Sequence, residues 1–193
     1  NLRKNENEKL APASMTKMMT SYIIEQKLLK GELTDNEQVR MNESAWCRGT
    51  STESCMYVPL NGTATVLEML RGIIIQSGND ASKAMAEHIA GNEGTFAHMM
   101  NQEAKRIDMK NTHFINSTGM PAEGHYSTAK DMAVLAQHII KEAFCHCGSD
   151  CCKIAAKKES SNKEADIIKR VPALMTKIPQ ELLSKIQNKK LCN

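Results

Sequence analysis

The chain has 193 residues, 41% of them hydrophobic and 24% charged, which is typical of one globular domain with or without a tail. Residues 1–152 carry 15 Lys and Arg against 18 Asp and Glu, whereas residues 153–193 carry 10 against 4, so the positive charge lies at the C-terminal end. A near-neutral body with only 4% aromatic residues argues against nucleic-acid binding, and the longest purely aliphatic run, residues 73–75, is too short to span a membrane.

The predicted elements of the first half are mainly helices. Apolar side chains recur at helical spacing over residues 15–29, with Pro12 before them and Gly31 after them. Turn formers dominate residues 31–62, where short β-like pieces are predicted at residues 38–41 and 55–60. A second helix is predicted over residues 65–75, and Ser77-Gly78-Asn79 ends it because Gly and Asn favour a turn.

Predicted helices also dominate the second half of the chain up to residue 144. Helices are predicted over residues 80–90, with Asp80 as the N-cap, and over residues 95–107. A loop follows, and Ser127 is predicted to cap a fifth helix that ends near residue 144. Residues 145–193 form a Cys- and Lys-rich tail, so the predicted domains are residues 1–144 and 145–193. Many helices and few strands indicate that a sheet is missing.

The seven cysteines form no regularly spaced disulfide framework. Four of them crowd into residues 145–152 around His146, but they lack the two separated pairs of a zinc finger. Incidental thiols are therefore favoured over a metal site, and neither a metal nor a cofactor is predicted. The spacing of Cys47 and Cys55 permits a disulfide, which spacing alone cannot establish.

Ser14 and Lys17 form the pair with the clearest chemical meaning. They lie at positions i and i+3 in the first turn of a predicted helix, so their Cβ atoms are about 5–6 Å apart. A serine hydroxyl needs a nearby base to act as a nucleophile, and a lysine can be that base if burial lowers its pKa. The N–H groups of a helix N-terminus also stabilise a developing oxyanion.

The Ser-x-x-Lys pattern alone is weak evidence, because it also occurs at Ser127 and Ser160. Ser127 is interpreted as a helix cap, and Ser160 lies in the tail. Ser14 differs from both because Ser77-Gly78-Asn79 follows between two helices. That turn can present a hydroxyl and an amide to the same cleft, although a plain interhelical turn is the alternative.

Together these motifs resemble the D-alanyl-D-alanine carboxypeptidases, the low-molecular-mass penicillin-binding proteins of the bacterial cell wall. The resemblance covers about two-thirds of the chain, and its most similar stretches are residues 10–22, 75–81, 110–114 and 119–131. The resemblance implies a mostly α fold derived from an α+β parent. The chain would be the helical subdomain of the serine β-lactamase/DD-peptidase fold, with little or no central sheet.

The resemblance also implies a role for each motif residue. Ser14 would form the acyl-enzyme and Lys17 would take its proton. Ser77 would relay a proton to the leaving D-alanine, and Asn79 would hold the peptide amide of the substrate. The implied partners are the D-Ala-D-Ala stem peptide of peptidoglycan and β-lactam antibiotics, with no nucleic acid.

The sequence departs from the family in two respects. No Lys-Ser-Gly or Lys-Thr-Gly occurs in these 193 residues, and Ser117-Thr118-Gly119 lacks the lysine. The strands that precede the nucleophile helix in the family are also missing, because only 13 residues precede Ser14. An impaired carboxypeptidase is therefore expected, with a non-catalytic remnant or penicillin-binding fragment as the alternative.

A β-lactamase is a weaker alternative, since it needs a carboxylate that activates the deacylating water, and Glu123 is the only candidate found. The family implies a location in the periplasm or on the outer face of the cytoplasmic membrane. The polar residues 1–9 carry no signal peptide. Residues 180–191, which belong to the basic tail, could form an amphipathic helix that anchors to a membrane surface. A helix packed on the protein surface is favoured.

Overall fold

The computed structural model describes residues 5–48 and 53–145, with only the backbone for residues 143–145. The chain divides into two compact units, residues 1–139 and residues 140–193, and of the second only the end of the last helix is described. The described helices are a 3-10 turn at Ala13–Met15, α1 at Thr16–Leu29, α2 at Val66–Gln76, α3 at Asn79–Ala90, α4 at Glu93–Arg106 and α5 at Ala129–Cys145. None of them is long and apolar enough to cross a bilayer.

Local side-chain bonds fix where these helices begin. Thr65 and Glu68 form a reciprocal capping box at the start of α2, and the Asn92 side chain accepts a hydrogen bond from Thr95 N at the start of α4. The predicted Ser127 cap is wrong, because Thr128 Oγ1 accepts the Asp131 N–H at 3.1 Å. The four predicted helices that precede α5 are confirmed to within about two residues at each end.

The only sheet among the described residues is a small antiparallel pair of strands. β1 (Gln38–Arg40) and β2 (Thr63–Thr65) pair with Val39 opposite Ala64. The strand predicted at residues 55–60 is wrong. Backbone N–H groups of that segment bond to the carboxylate of Asp80 on α3, at 2.8 Å from both Met56 N and Tyr57 N, rather than to a neighbouring strand.

Asp80 is therefore not the N-cap of α3 that the sequence predicts. Gly78 occupies the cap position, and the Asp80 side chain, only 1% exposed, joins the helix to the preceding segment. Its two oxygens accept three backbone N–H groups in all, since Ala81 N also donates to Oδ1 at 2.8 Å. A buried carboxylate with several N–H donors is well satisfied, so this contact fixes segment and helix together.

The core is aliphatic and rich in methionine, as the composition predicts. One cluster packs α2 and α3 against the two strands, and the other packs α1 against α3, α4, α5 and the long loop that follows α4. The buried methionines are Met19, Met41, Met69, Met85, Met100, Met109 and Met132. Flexible thioether side chains fill the irregular gaps between helices that meet at different angles.

Cys47 and Cys55 form a disulfide with a Cα–Cα distance of 6.3 Å, which resolves the question that their spacing left open. The bond joins the segment after β1 to the segment that Asp80 holds. The second of these segments is thus fixed to the protein at two points, Cys55 and the backbone of the two residues after it.

The loop after α4 approaches the turn before α1 unusually closely at Gly119. This residue has φ +85°, and a Cβ built on it would lie 1.8 Å from the carbonyl oxygen of Ala13 and 2.9 Å from Thr16 Oγ1. Only glycine combines that backbone conformation with such a close approach. The loop is also bonded to α1, because Thr20 Oγ1 donates to Ser117 O at 2.7 Å.

His125 lies in the same interface and is 7% exposed. Its Nδ1 accepts the N–H of Ile115 at 3.1 Å, so the ring proton of the neutral form sits on Nε2, which faces Thr16 Oγ1 at 2.9 Å. Burial, with a smaller contribution from the nearby His113, lowers the pKa of His125. Protonation would place a second N–H against the Ile115 donor.

We predict that Gly119→Ala destabilises the protein far more than Gly91→Ala. Both glycines have positive φ, but nothing lies within 4 Å of a Cβ built at Gly91. The control should lose about 1–2 kcal/mol of unfolding free energy from backbone strain. The overlap with Ala13 should cost Gly119→Ala about 1–3 kcal/mol more. Urea unfolding measures both, and equal losses would show that the close approach does not occur in solution.

We also predict that His125 makes the protein less stable in acid. Because the folded-state pKa lies below the ordinary value, stability is full above that value and falls as the unfolded chain takes up a proton at lower pH. In urea unfolding between about pH 5 and 7.5, His125→Asn should make this decline shallower. The exposed His98 is the matched control, and His98→Asn should leave the slope unchanged. A slope that His125→Asn does not alter would contradict the prediction.

Candidate active site

Ser14 lies in the 3-10 turn at the start of α1, where its side chain is exposed. The turn is closed by a hydrogen bond from Met15 N to Pro12 O at 3.1 Å. Ala13 has φ +47°, a left-handed conformation that costs a non-glycine residue about 1–2 kcal/mol. Strain of this kind immediately before an exposed hydroxyl is typical of functional sites.

Lys17 points from the first turn of α1 toward Ser14 and is only 5% exposed. Its Nζ donates to the carbonyl oxygen of Thr118 at 2.7 Å and lies 3.5 Å from Ser14 Oγ. The loop that Gly119 brings against α1 thus supplies the oxygen that orients the amine. An exposed hydroxyl faces a buried amine, which is the arrangement that serine activation requires.

Ser77 ends α2, and its hydroxyl also contacts Ser14. It has φ +56°, so the chain reverses at this residue and turns its hydroxyl out of the helix. Ser77 Oγ donates to Ser14 Oγ at 3.0 Å, although the two residues are 63 positions apart in the sequence. Gly78 then allows α3 to begin directly after the turn.

Asn79 is the first residue of α3 and is 4% exposed. Its backbone N–H donates to Ser54 O at 2.7 Å, and its Nδ2 donates to Glu53 Oε2 at 2.9 Å. Asn79 lines the same cavity as Ser14, whose volume is about 370 Å³. The structure therefore brings Ser14, Lys17 and Ser77 into contact and places Asn79 in the wall beside them.

Three groups at the site were not predicted from the sequence. Thr118 contributes only its carbonyl oxygen, which no side-chain pattern reveals, although Gly119 beside it was a signal of close backbone approach. Glu53 and His125 both line the cavity, but each is a single titratable residue in a loop with no motif around it. Nothing in the sequence could have identified them as neighbours of Ser14.

The structure does not bring the other residues singled out in the sequence into contact with Ser14. Ser127 is 3% exposed, and its hydroxyl lies 2.8 Å from Thr112 Oγ1. Glu123 is exposed on the turn before His125. No group of three or more metal-binding side chains occurs within residues 5–48 and 53–142. Ser160 and the side chains of the cysteine cluster lie outside the described residues.

The sequence and the structure of the chain are both similar to those of known proteins. A sequence model of the D-alanyl-D-alanine carboxypeptidase family matches residues 2–181. The chain is 49% identical over 138 residues to the D-alanyl-D-alanine carboxypeptidase DacF of Bacillus subtilis and 41% identical over 138 residues to DacA of Haemophilus influenzae. Each alignment covers 72% of this chain and 35% of the relative. The chain thus spans about a third of the length of these curated relatives.

Solved structures agree. The carboxypeptidase DacD of Francisella tularensis superposes with a TM-score of 0.67 at 42% identity, covering 71% of this chain and 32% of that one. Penicillin binding protein 5 of Haemophilus influenzae superposes with a TM-score of 0.70 at 37% identity, covering 83% and 45%. The predicted fold class, a helical subdomain of the DD-peptidase fold with little sheet, is confirmed. From the family match over nearly its whole length, the chain belongs to the D-alanyl-D-alanine carboxypeptidase family.

Proposed function

We propose that the chain is the acylating part of a serine D-Ala-D-Ala carboxypeptidase that trims the stem peptides of peptidoglycan. The observation that carries the proposal is Ser14 Oγ, which lies between Lys17 Nζ at 3.5 Å and Ser77 Oγ at 3.0 Å beside an open cavity. The names of the relatives support the choice of reaction and substrate.

Acylation begins with proton transfer from Ser14 Oγ to neutral Lys17. The Thr118 carbonyl accepts one N–H of the amine, and the nitrogen, 3.5 Å from Ser14 Oγ, takes the serine proton. Ser14 Oγ then attacks the carbonyl carbon of the penultimate D-alanine. The Ser14 N–H supplies one donor to the oxyanion that forms.

The second half of the step breaks the peptide bond. The nitrogen of the terminal D-alanine leaves with a proton that passes through the Ser77 hydroxyl, and an ester remains on Ser14. Water hydrolyses that ester, returning a proton to the enzyme and releasing the shortened peptide. Asn79, in the cavity wall, holds the peptide amide of the substrate during both halves.

β-Lactams would acylate the same serine, because their ring amide takes the place of the scissile bond but leaves no diffusible amine. The name of penicillin binding protein 5, at 37% identity, supports this choice of ligand. The exposed position of Glu123 gives no support to a β-lactamase, which needs a carboxylate at the water that attacks the ester. The absence of a Lys-Thr-Gly or Lys-Ser-Gly motif favours the non-catalytic alternative, whereas the contacts of Ser14 with Lys17 and Ser77 favour acylation.

The periplasm or the outer face of the cytoplasmic membrane is the location that fits this substrate. The Cys47–Cys55 disulfide supports it, since disulfides persist in oxidising compartments and are rare in the cytosol. Contact between the basic tail and a membrane stays a prediction, because residues 146–193 lie outside the described residues. The predicted domain boundary between residues 144 and 145 also stays a prediction.

Acylation can be tested directly with benzylpenicillin. Mass spectrometry of the digested protein should find one adduct, on the peptide that contains Ser14, and Ser14→Ala should abolish it. The Ser-x-x-Lys sequences at Ser127 and Ser160 are internal controls that should stay unmodified. An adduct on either of them, or one that survives in Ser14→Ala, would contradict the proposal.

The role of Lys17 is tested in the same assay. The arginine in Lys17→Arg keeps the positive charge but cannot give up its proton at neutral pH. This variant should therefore not be acylated at Ser14. Acylation of this variant at the wild-type rate would mean that Lys17 is only structural.

Hydrolysis of a D-Ala-D-Ala peptide should be slow even though the groups that acylate Ser14 are present. No Lys-Thr-Gly or Lys-Ser-Gly occurs in the 193 residues, and in the family that motif lies on the strand that recognises the substrate carboxylate and completes the oxyanion hole. Loss of one oxyanion donor costs about 10²–10³ in rate, and loss of the carboxylate anchor adds misorientation. A protein of these 193 residues should release D-alanine at least about a thousandfold more slowly than a full-length relative.

The matched experiment joins residues 1–144 to the C-terminal segment of a relative and restores the strands before Ser14. This chimaera should recover much of the rate. Full turnover by the 193-residue protein would instead mean that another group in it replaces the missing motif.

A further inference from the structure

The loop that carries Thr118 is fixed at Ser117 by contacts to two helices. Glu93 Oε1 accepts the Ser117 backbone N–H at 2.9 Å and the Ser117 hydroxyl at 2.6 Å, so α4 binds the loop. Thr20 of α1 donates to the Ser117 carbonyl oxygen at 2.7 Å. These bonds fix the backbone of one buried residue, but they do not set the direction of the Thr118 carbonyl that binds Lys17.

The Asn116 side chain binds the three residues that follow Ser117. Its Oδ1 accepts the backbone N–H of Gly119 at 2.7 Å, and the N–H and hydroxyl of Thr118 at 3.2 Å and 3.1 Å. Its Nδ2 donates to the carbonyl oxygen of Met120 at 2.9 Å. Donors therefore meet the oxygen of the amide and an acceptor meets its nitrogen, which fixes the orientation of the side chain.

The shortest of these bonds determines where the Thr118 carbonyl points. The C=O of Thr118 and the N–H of Gly119 belong to one planar trans peptide group, in which they point in opposite directions. Asn116 Oδ1 accepts the N–H at 2.7 Å, and Lys17 Nζ donates to the carbonyl oxygen at 2.7 Å. Asn116 and Lys17 thus bind the two ends of the same peptide group.

Gly119 makes this peptide group easy to rotate. Its φ is +85°, and a glycine populates positive and negative φ about equally, since it has no Cβ. Rotation of the peptide by half a turn would direct the Thr118 carbonyl away from Lys17 and bring an N–H donor toward the amine. The bond from Gly119 N to Asn116 opposes that rotation, because it would be lost.

We propose that Asn116 is a positioning residue that holds the Thr118–Gly119 peptide with its carbonyl toward Lys17, so that the amine stays within reach of Ser14 Oγ. The assignment rests on the proposed function, which gives the amine its reaction. Asn116 acts only through this peptide group. Its loss lowers the fraction of molecules in which Lys17 can take the serine proton.

Acylation by benzylpenicillin measures this fraction. Asn116→Ala should lower the limiting rate of acylation about fivefold to tenfold, the population shift that one hydrogen bond produces, and change the half-saturating concentration by less than about twofold. A serine hydroxyl accepts nearby backbone N–H groups more weakly than an asparagine oxygen, so Asn116→Ser should have an intermediate rate. A loss confined to the half-saturating concentration, or no recovery in Asn116→Ser, would overturn the proposal.

Asn101 is the matched control, because it binds the backbone of the same loop at another place. Its Oδ1 accepts the N–H of Phe114 at 2.8 Å, and its Nδ2 donates to the carbonyl oxygen of Phe114 at 2.7 Å. Asn101→Ala should lower the midpoint of urea unfolding but leave the limiting acylation rate of the folded protein unchanged. Equal slowing by Asn101→Ala and Asn116→Ala would mean that loop stability, rather than peptide direction, sets the rate, and would overturn the proposal.

Hydrogen exchange of the Gly119 backbone N–H, followed in ¹⁵N–¹H spectra, needs no reaction. Exchange should be about tenfold faster in Asn116→Ala, intermediate in Asn116→Ser and unchanged in Asn101→Ala. A Gly119 N–H that exchanges at the wild-type rate in Asn116→Ala would overturn the role of Asn116. The absence of an adduct on wild-type Ser14 would instead overturn the proposed function, so the two failures are distinguishable.

Discussion

The contact on which the site depends is the approach of the loop at residues 117–119 to the turn that carries Ser14. Gly119 lets two backbones meet where a methyl group would overlap the Ala13 carbonyl. This approach brings the Thr118 carbonyl within 2.7 Å of Lys17 Nζ. A lysine amine on a helix has many rotamers, and a single well-placed acceptor selects the one that faces the serine. Without the loop, the Ser-x-x-Lys sequence would be only two neighbours on a helix.

The second wall of the site depends on how α2 ends and α3 begins. Ser77 adopts a left-handed conformation, and the helix that follows starts within two residues. Ser54 holds the turn between α2 and α3, because its carbonyl oxygen accepts the Asn79 N–H and its hydroxyl donates to Gln76 O. The buried Asp80 carboxylate in turn fixes the segment that carries Ser54. Thus the nucleophile helix, the loop after α4 and the α2–α3 turn each contribute one side of the cavity. The loop after α4 is held on α1 by two backbone carbonyl groups, because Ser117 O and Thr118 O accept hydrogen bonds from the buried Thr20 and Lys17 side chains.

The helices could be predicted from the sequence because their signals are local. Apolar spacing and residues such as Thr65 and Asn92 mark faces and ends within a few positions. The contact of Ser77 with Ser14 spans 63 residues, and the sequence indicated it only through the Ser77-Gly78-Asn79 turn and the resemblance to the family. The strand predicted at residues 55–60 was wrong because its β-like composition was local, whereas the carboxylate that binds its backbone lies on α3. Thr118 and Glu53 act through atoms or neighbours that no spacing encodes.

The short separation of Cys47 and Cys55 has a consequence for how the oxidised protein forms. They are eight positions apart, while each of the other five cysteines lies at least 90 residues further along the chain. Loop-closure entropy grows with the logarithm of loop length, so the short pairing is favoured over a long one by about 2 kcal/mol in a flexible chain. Chain statistics alone thus select the native partner before any tertiary contact forms. The crowded thiols near the other end are poor competitors for it, and correct oxidation does not have to wait for the helices to assemble.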